Sequence, residues 1–150
     1  MTETSEHQPA LDAGFLNPVF VHFDDLDSQG LVHNSRFAVM LERSLTDFWE
    51  SQGYTYRADQ PRHPDTSVIV AEYSITYRAP VRGTGDIYIH FWVEKLGRTS
   101  VVYAFRVLSA DKQTVHAQGR RVHIHFDPET LSTAPWADET RAIYGRLMLP

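Results

Sequence analysis

Apolar positions between residues 35 and 53 recur at helical spacing. Phe37, Leu41, Leu45 and Phe48 stand four, four and three apart, and Met40 and Trp49 widen the stripe. That spacing predicts an amphipathic helix with a broad buried face. Asn34 or Ser35 is placed to cap its start, and Gly53 follows its end. Before the helix, residues 19–23 (VFVHF) are β-branched and aromatic and read as a short strand. After it, a proline-bearing charged loop over 54–65 gives way to runs of period two. Residues 67–79 place Ile69, Ala71, Tyr73, Ile75 and Tyr77 on one face. Residues 86–94 place Ile87, Ile89, Phe91 and Val93 on one face and Tyr88, His90 and Trp92 on the other. Two more strands are expected over 99–109 and 114–127, and a short helix over 137–147. The turn sequences PVRGTGD, KLGR and ADKQ separate the strands.

Strand, long helix, then consecutive antiparallel strands without a βαβ repeat predict an α+β fold. One long central helix would be wrapped by a curved antiparallel β-sheet, its stripe buried against the inner strand faces. The outward Tyr88–Trp92 face is then a candidate interface. Residues 1–16 are polar at the start and read as a flexible N-terminal tail, leaving 17–150 as a single domain.

Composition narrows the function classes. The chain has 150 residues, 42% hydrophobic and 22% charged, which suits one ordinary core. A net charge of -5 disfavours nucleic acid as a partner. With 0 Cys, disulfides, cysteine nucleophiles and thiolate metal sites are excluded. The first residues are acidic where a signal peptide is basic, and no run approaches about 18 apolar residues. A cytoplasmic protein with no membrane partner is expected.

The segment DDLDSQGLVHN (24–34) holds three acids beside a glycine, just ahead of the helix. Asp and Gly are common turn residues, so a solvated loop accounts for it as it stands. The alternative is chemical. A carboxylate such as Asp27 can attack an acyl carbon or deprotonate a water. A helix N-terminus supplies unpaired N–H groups and positive potential for a developing oxyanion. Gly30 lets the backbone pass close to a substrate.

These residues resemble a known family. Asp25-Leu26-Asp27-Ser28-Gln29-Gly30-Leu31-Val32-His33-Asn34, followed by Phe37 and Glu42, is similar to the loop and helix start of the hotdog-fold acyl-CoA thioesterases, in the 4-hydroxybenzoyl-CoA thioesterase-like branch. VAEYSITYRAPVRGTGD, EKLGRTSV and GRRVHIHFD resemble that family's later strands in the same order. Leu31 stands where many members carry His, and Phe37 replaces a common Tyr; both differences bear on substrate choice. The resemblance implies a hotdog fold and a thioester hydrolase that releases CoA and a carboxylic acid. It implies a catalytic Asp27, an oxyanion donor in the backbone N–H of Asn34, and a loop turned at Gly30. It implies substrate contacts at Val32, His33 and Phe37, and coenzyme contacts on the hairpin at Arg98, Thr99 and Ser100. It also implies a homodimer, with pairs of dimers as a further step. No cofactor is expected, coenzyme A being part of the substrate.

Other candidates have plainer readings. Glu42 lies eight residues past Asn34, about 12 Å along a helix, and reads as an acid held by an Arg or backbone partner. His123 and His125 share a strand face, but a third ligand is not evident, so no metal is expected. A hydratase pattern, Asp-x-Asn-Pro-x-His, is not present around Asn17-Pro18. A non-catalytic acyl-thioester-binding module and a thioesterase acting on acyl carrier protein remain as alternatives.

Overall fold

The computed structural model describes residues 8–150. In chain order these form β1 (Phe15–Val21), α1 (Arg36–Ser51), β2 (Val68–Tyr77), β3 (Gly85–Leu96), β4 (Ser100–Ser109), β5 (Val115–His125) and α2 (Asp138–Leu147), with short 3-10 turns at Phe23–Asp25 and Pro64–Thr66. The strands make one antiparallel sheet in the order β1-β3-β4-β5-β2. Among the described residues β1 and β2 are its two edges. Among the described residues no helix is long and apolar enough to cross a membrane.

The expected stripe on α1 is buried at Phe37, Met40, Leu41, Leu45 and Phe48; Ser44 is buried beside it, and Trp49 is partly buried. It meets Ile87, Ile89, Phe91 and Val93 of β3, all buried as the period-two pattern required. Phe48 packs edge-on against Phe91, and Phe91 against Tyr103. Burial of each such side chain contributes about 1.5–3 kcal/mol. Trp49 Nε1 donates to the fully buried Tyr103 hydroxyl at 3.0 Å, which closes the polar end of this contact. Neither Asn34 nor Ser35 caps α1 with its side chain. His33 takes that place, its Nδ1 accepting the Ser35 N–H at 3.1 Å.

The inner face of β2 departs from simple alternation. The register with β5 shifts between Val70 and Glu72, so Ala71 is an extra residue. A bulge reverses the phase of the strand. Ile69 and Ala71 therefore face outward and are exposed, while Val68 packs on the core with Tyr73 and Ile75.

The outer face differs more. His90 is 0% exposed rather than part of an open patch. The segment from Gln8 to Gly14 crosses it: the Ala13 carbonyl meets His90 Nε2 at 2.6 Å, Arg106 Nε donates to His90 Nδ1 at 3.0 Å, and Arg106 also donates to Gln8 Oε1 and the Pro9 carbonyl. Gly14 has φ +65°, and a Cβ there would lie 2.3 Å from the Phe91 carbonyl oxygen, so only glycine lets the segment lie this close. The tail expected over 1–16 is thus corrected: residues 8–14 are hydrogen-bonded to the sheet and Phe15 and Leu16 are in β1, while residues 1–7 lie outside the described residues. Tyr88 and Trp92 are half-buried.

The C-terminal segment locks the far end of the sheet. Trp136 stacks on His125 and donates to the Ser100 carbonyl at 3.1 Å. Asp65 accepts the Ala137 N–H at the start of α2, whose Ile143, Tyr144 and Leu147 complete the core.

Candidate active site

The loop before α1 is built from its backbone. Asp27 N–H donates to the Leu31 carbonyl at 2.7 Å, Gly30 N–H to the Asp27 carbonyl at 3.0 Å, and Val32 N–H to the Val81 carbonyl at 2.9 Å. Gly30, with φ +76°, turns the loop, and its carbonyl accepts from Gly83. The loop is therefore stitched to the turn between β2 and β3.

The three acids separate by environment. Asp24 is exposed. Asp25 is 3% exposed; its carboxylate accepts the His22 N–H at 2.8 Å and pairs with Arg36 Nε at 2.8 Å. Burial pushes the Asp25 carboxyl up, but the His22 and Arg36 hydrogen bonds and the Arg36 charge outweigh it and hold the group below the usual range. Asp25 thus pins the loop to the first turn of α1. Asp27 is half-buried, and its Oδ1 accepts the N–H groups of Gln29 (2.8 Å) and Leu31 (3.1 Å). Its Oδ2 has no partner among the described residues.

Asp27 opens on a groove of about 450 Å³ lined by Leu31, Val32, His33, Asn34, Phe37 and the run from Tyr77 to Val81. Six of the residues singled out in the sequence come together here. Asp27, Val32, His33, Asn34 and Phe37 line one groove, and Gly30 turns its loop. Their parts differ. Val32 and Phe37 are core residues whose edges form the floor, at 8% and 4% exposure. Phe37 leans on Tyr77 with ring centroids 5.8 Å apart. Asn34 is exposed, and its carbonyl accepts the Tyr77 hydroxyl at 3.4 Å. The N–H groups of Val32, His33, Ser35 and Arg36 all have acceptors; that of Asn34 has none among the described residues.

Arg98, Thr99 and Ser100 are not brought to this groove within one chain. Tyr77 pairs with Ala117, and Ala117 with Val107, seven residues along β4 from Ser100. That is about 23 Å of strand. The β3–β4 hairpin necessarily turns at the opposite end of the sheet, where the Arg98 carbonyl accepts from Trp136 and the Thr99 carbonyl from His125. The nearer cation, missed in the sequence, is Arg78 in the groove wall. Its signal was the run YRAPVRG, in which Arg78 was read only as part of a strand running into a turn. Glu42 takes the plain reading: it pairs with Arg121.

A helix layered against a five-stranded antiparallel sheet is the arrangement expected of a hotdog-type fold, and here an acid and an open N–H lie beside the helix start. The comparisons agree. The profile of the thioesterase-like superfamily matches residues 21–143, and the chain belongs to that family. It is similar to the acyl-CoA thioester hydrolase YbgC of Escherichia coli O6:H1, with 23% identity over 94 residues, 63% of this chain and 69% of that one. Among solved structures, the PA5185 protein from Pseudomonas aeruginosa superposes with a TM-score of 0.79 at 22% identity, covering 94% of this chain and 96% of that one. Slr0204, a 1,4-dihydroxy-2-naphthoyl-CoA thioesterase from Synechocystis, gives 0.76 at 14% identity, covering 91% and 98%.

Proposed function

We propose that the protein hydrolyses acyl-CoA thioesters in the groove at the start of α1, with Asp27 as the catalytic carboxylate. One observation carries this: Asp27 is the only acid among the residues lining the groove that also holds the open N–H of Asn34. With Oδ1 fixed by two backbone donors, Oδ2 faces the reaction and activates a water for attack on the thioester carbonyl. The Asn34 N–H and the positive end of α1 stabilise the oxyanion. Phe37 and Tyr77 flank the acyl group, and Arg78 offers a cation to the coenzyme phosphates. In this reading α1 is the central helix around which the sheet curves, and no cofactor takes part.

The reading extends to a homodimer through β2. This strand is an edge of the sheet, with Ile69 and Val70 about half exposed. Two-fold antiparallel pairing would set the Val68 end of one copy beside the Tyr77 end of the other. It also moves the hairpin of Arg98, Thr99 and Ser100 toward the second copy's groove, where those residues could meet the coenzyme. Light scattering should give twice the chain mass, and Val70→Pro, which removes a ladder donor, should shift it to the monomer. A wild-type monomer would refute the pairing.

Free-thiol release from a panel of short, long and aromatic acyl-CoAs tests the activity. Hydrolysis of at least one member, with a loss of about 100-fold or more in Asp27→Ala, is the expected result. Full activity in Asp27→Ala would remove Asp27 from the mechanism.

A further inference from the structure

α1 packs chiefly on β1 and β3, which leaves a furrow between the helix and edge strand β2. Three depressions follow one another along it. The first is the Asp27 groove, which ends at Phe37 and Tyr77. The second lies between Ala38, Val39, Glu42, Val70, Tyr73 and Arg121. The third opens between Glu42, Thr46, Tyr56 and His123, with a cavity of about 60 Å³ at its inner end.

Beyond the Asp27 groove, where the second depression passes into the third, three buried polar atoms have no partner among the described residues: the Tyr73 hydroxyl, Arg121 Nε and His123 Nε2. They are neighbours. Tyr73 and Arg121 pair across the β2–β5 ladder, and His123 follows Arg121 on the same face of β5. Arg121 and His123 are 6% and 7% exposed. A buried polar group without a partner is costly, and such groups in native proteins are nearly always satisfied. Three of them, adjacent and on residues that line the second and third depressions, point to a bound group that completes them.

Their charge states say which kind. The Arg121 charge is already met by Glu42, through the other end of the guanidinium. Burial, with the Arg121 charge, pushes His123 down to about 3, so its ring is neutral. Burial, with Tyr77 adding, pushes the Tyr73 hydroxyl up to about 12. The cluster thus offers hydrogen bonds without a free charge, which suits an uncharged oxygen better than a carboxylate. Its place relative to the reaction is set by α1: Glu42, the partner of Arg121, is eight residues from Asn34, about 12 Å along the axis.

We propose that Tyr73, Arg121 and His123 form the distal end of the acyl site, and that the protein selects medium-length acyl groups carrying a hydroxyl or keto oxygen at the end remote from the thioester. This rests on the reading of the Asp27 groove as the thioesterase site. The test compares ω-hydroxydecanoyl-CoA, decanoyl-CoA and the ω-carboxy analogue as substrates for wild type, Tyr73→Phe and His123→Phe, each shown folded by circular dichroism. Tyr73→Phe removes only a hydroxyl that has no partner, so its folding is safe even if His123→Phe fails. The wild type should favour the hydroxyacyl over the plain substrate by about 10- to 100-fold in kcat/KM, the range for a hydrogen bond inside a buried site. In the variants that ratio should fall toward one. Equal rates in the wild type, a preference for the carboxy analogue, or a ratio unchanged in both variants would overturn the proposal; the cavity would then hold ordered water only. If the wild type hydrolyses none of the three, or any other acyl-CoA, the thioesterase reading has failed instead. The pocket is then read by calorimetric titration with ω-hydroxydecanoic and decanoic acids. Tighter binding of the hydroxy acid, lost in Tyr73→Phe, supports it; equal or absent binding overturns it.

Discussion

In the proposed mechanism the two oxygens of Asp27 have two jobs, and they can be separated. Oδ1 holds the loop through Gln29 and Leu31, and Oδ2 is left for chemistry. Asp27→Asn keeps an oxygen that can accept both N–H groups but removes the carboxylate. Asp27→Ala removes both functions. Each loop hydrogen bond is neutral-donor and partly exposed, and such bonds net about 0.5–1.5 kcal/mol apiece. Asp27→Ala should therefore lose about 1–3 kcal/mol, or roughly 2–12 °C in Tm for a chain of this size. Asp27→Asn should stay within about 0.5 kcal/mol of the wild type, as surface changes usually do. Both should lose about 100-fold or more in kcat, because neither supplies a base. The assay pairs thermal unfolding with thiol release from the best substrate of the panel. Retained activity in Asp27→Asn, with loss confined to Asp27→Ala in step with its Tm, would mean that Asp27 only shapes the loop.

Arg78→Ala should raise KM for acyl-CoA several-fold with little change in kcat, and raised salt should do the same to the wild type; an unchanged KM at low salt would take Arg78 out of coenzyme binding. Asp25, held below its ordinary value, contributes stability that is present above the unfolded carboxylate pKa and is lost as pH falls through the depressed folded one. Denaturant titrations from pH 7 to pH 3 should show that loss in the wild type and much less of it in Asp25→Asn, whose stability at pH 7 is already lower. His90 is pushed down by burial, with the Arg106 charge adding and its contact with the Ala13 carbonyl opposing. Its neutral form therefore stabilises the fold above the ordinary imidazole pKa, and that share is lost on acidification below it. Amide protection factors in residues 8–14, corrected for intrinsic exchange, should fall between pH 7.5 and pH 5.5; equal protection at both would show that His90 does not govern the segment.

What was legible in the sequence had a period. The α1 stripe and the inner face of β3 could be read because their burial repeats at 3.6 and at 2, and both are buried as expected. Phase was not legible where one residue changed it. Nothing in VIVAEY marks Ala71 as extra, and the bulge alone moves Ile69 from the inner to the outer face. The outer face of β3 was misread for a related reason. Tyr88, His90 and Trp92 alternate outward as expected, but the residues that cover His90 come from Gln8 to Gly14, a polar stretch with no period. The candidate site divides the same way. Asp27, Gly30, Val32, His33, Asn34 and Phe37 are close in sequence, so a local motif sufficed to group them. Arg78 is distant in sequence and arrives through the Val32–Val81 and Gly30–Gly83 hydrogen bonds, which no residue type announces. Arg98, Thr99 and Ser100 show the converse: the strand lengths that follow from the pattern put the two ends of the sheet about 23 Å apart. One chain cannot bring that hairpin to Asp27, so any role for it in binding the coenzyme requires the second copy that the open edge of β2 invites.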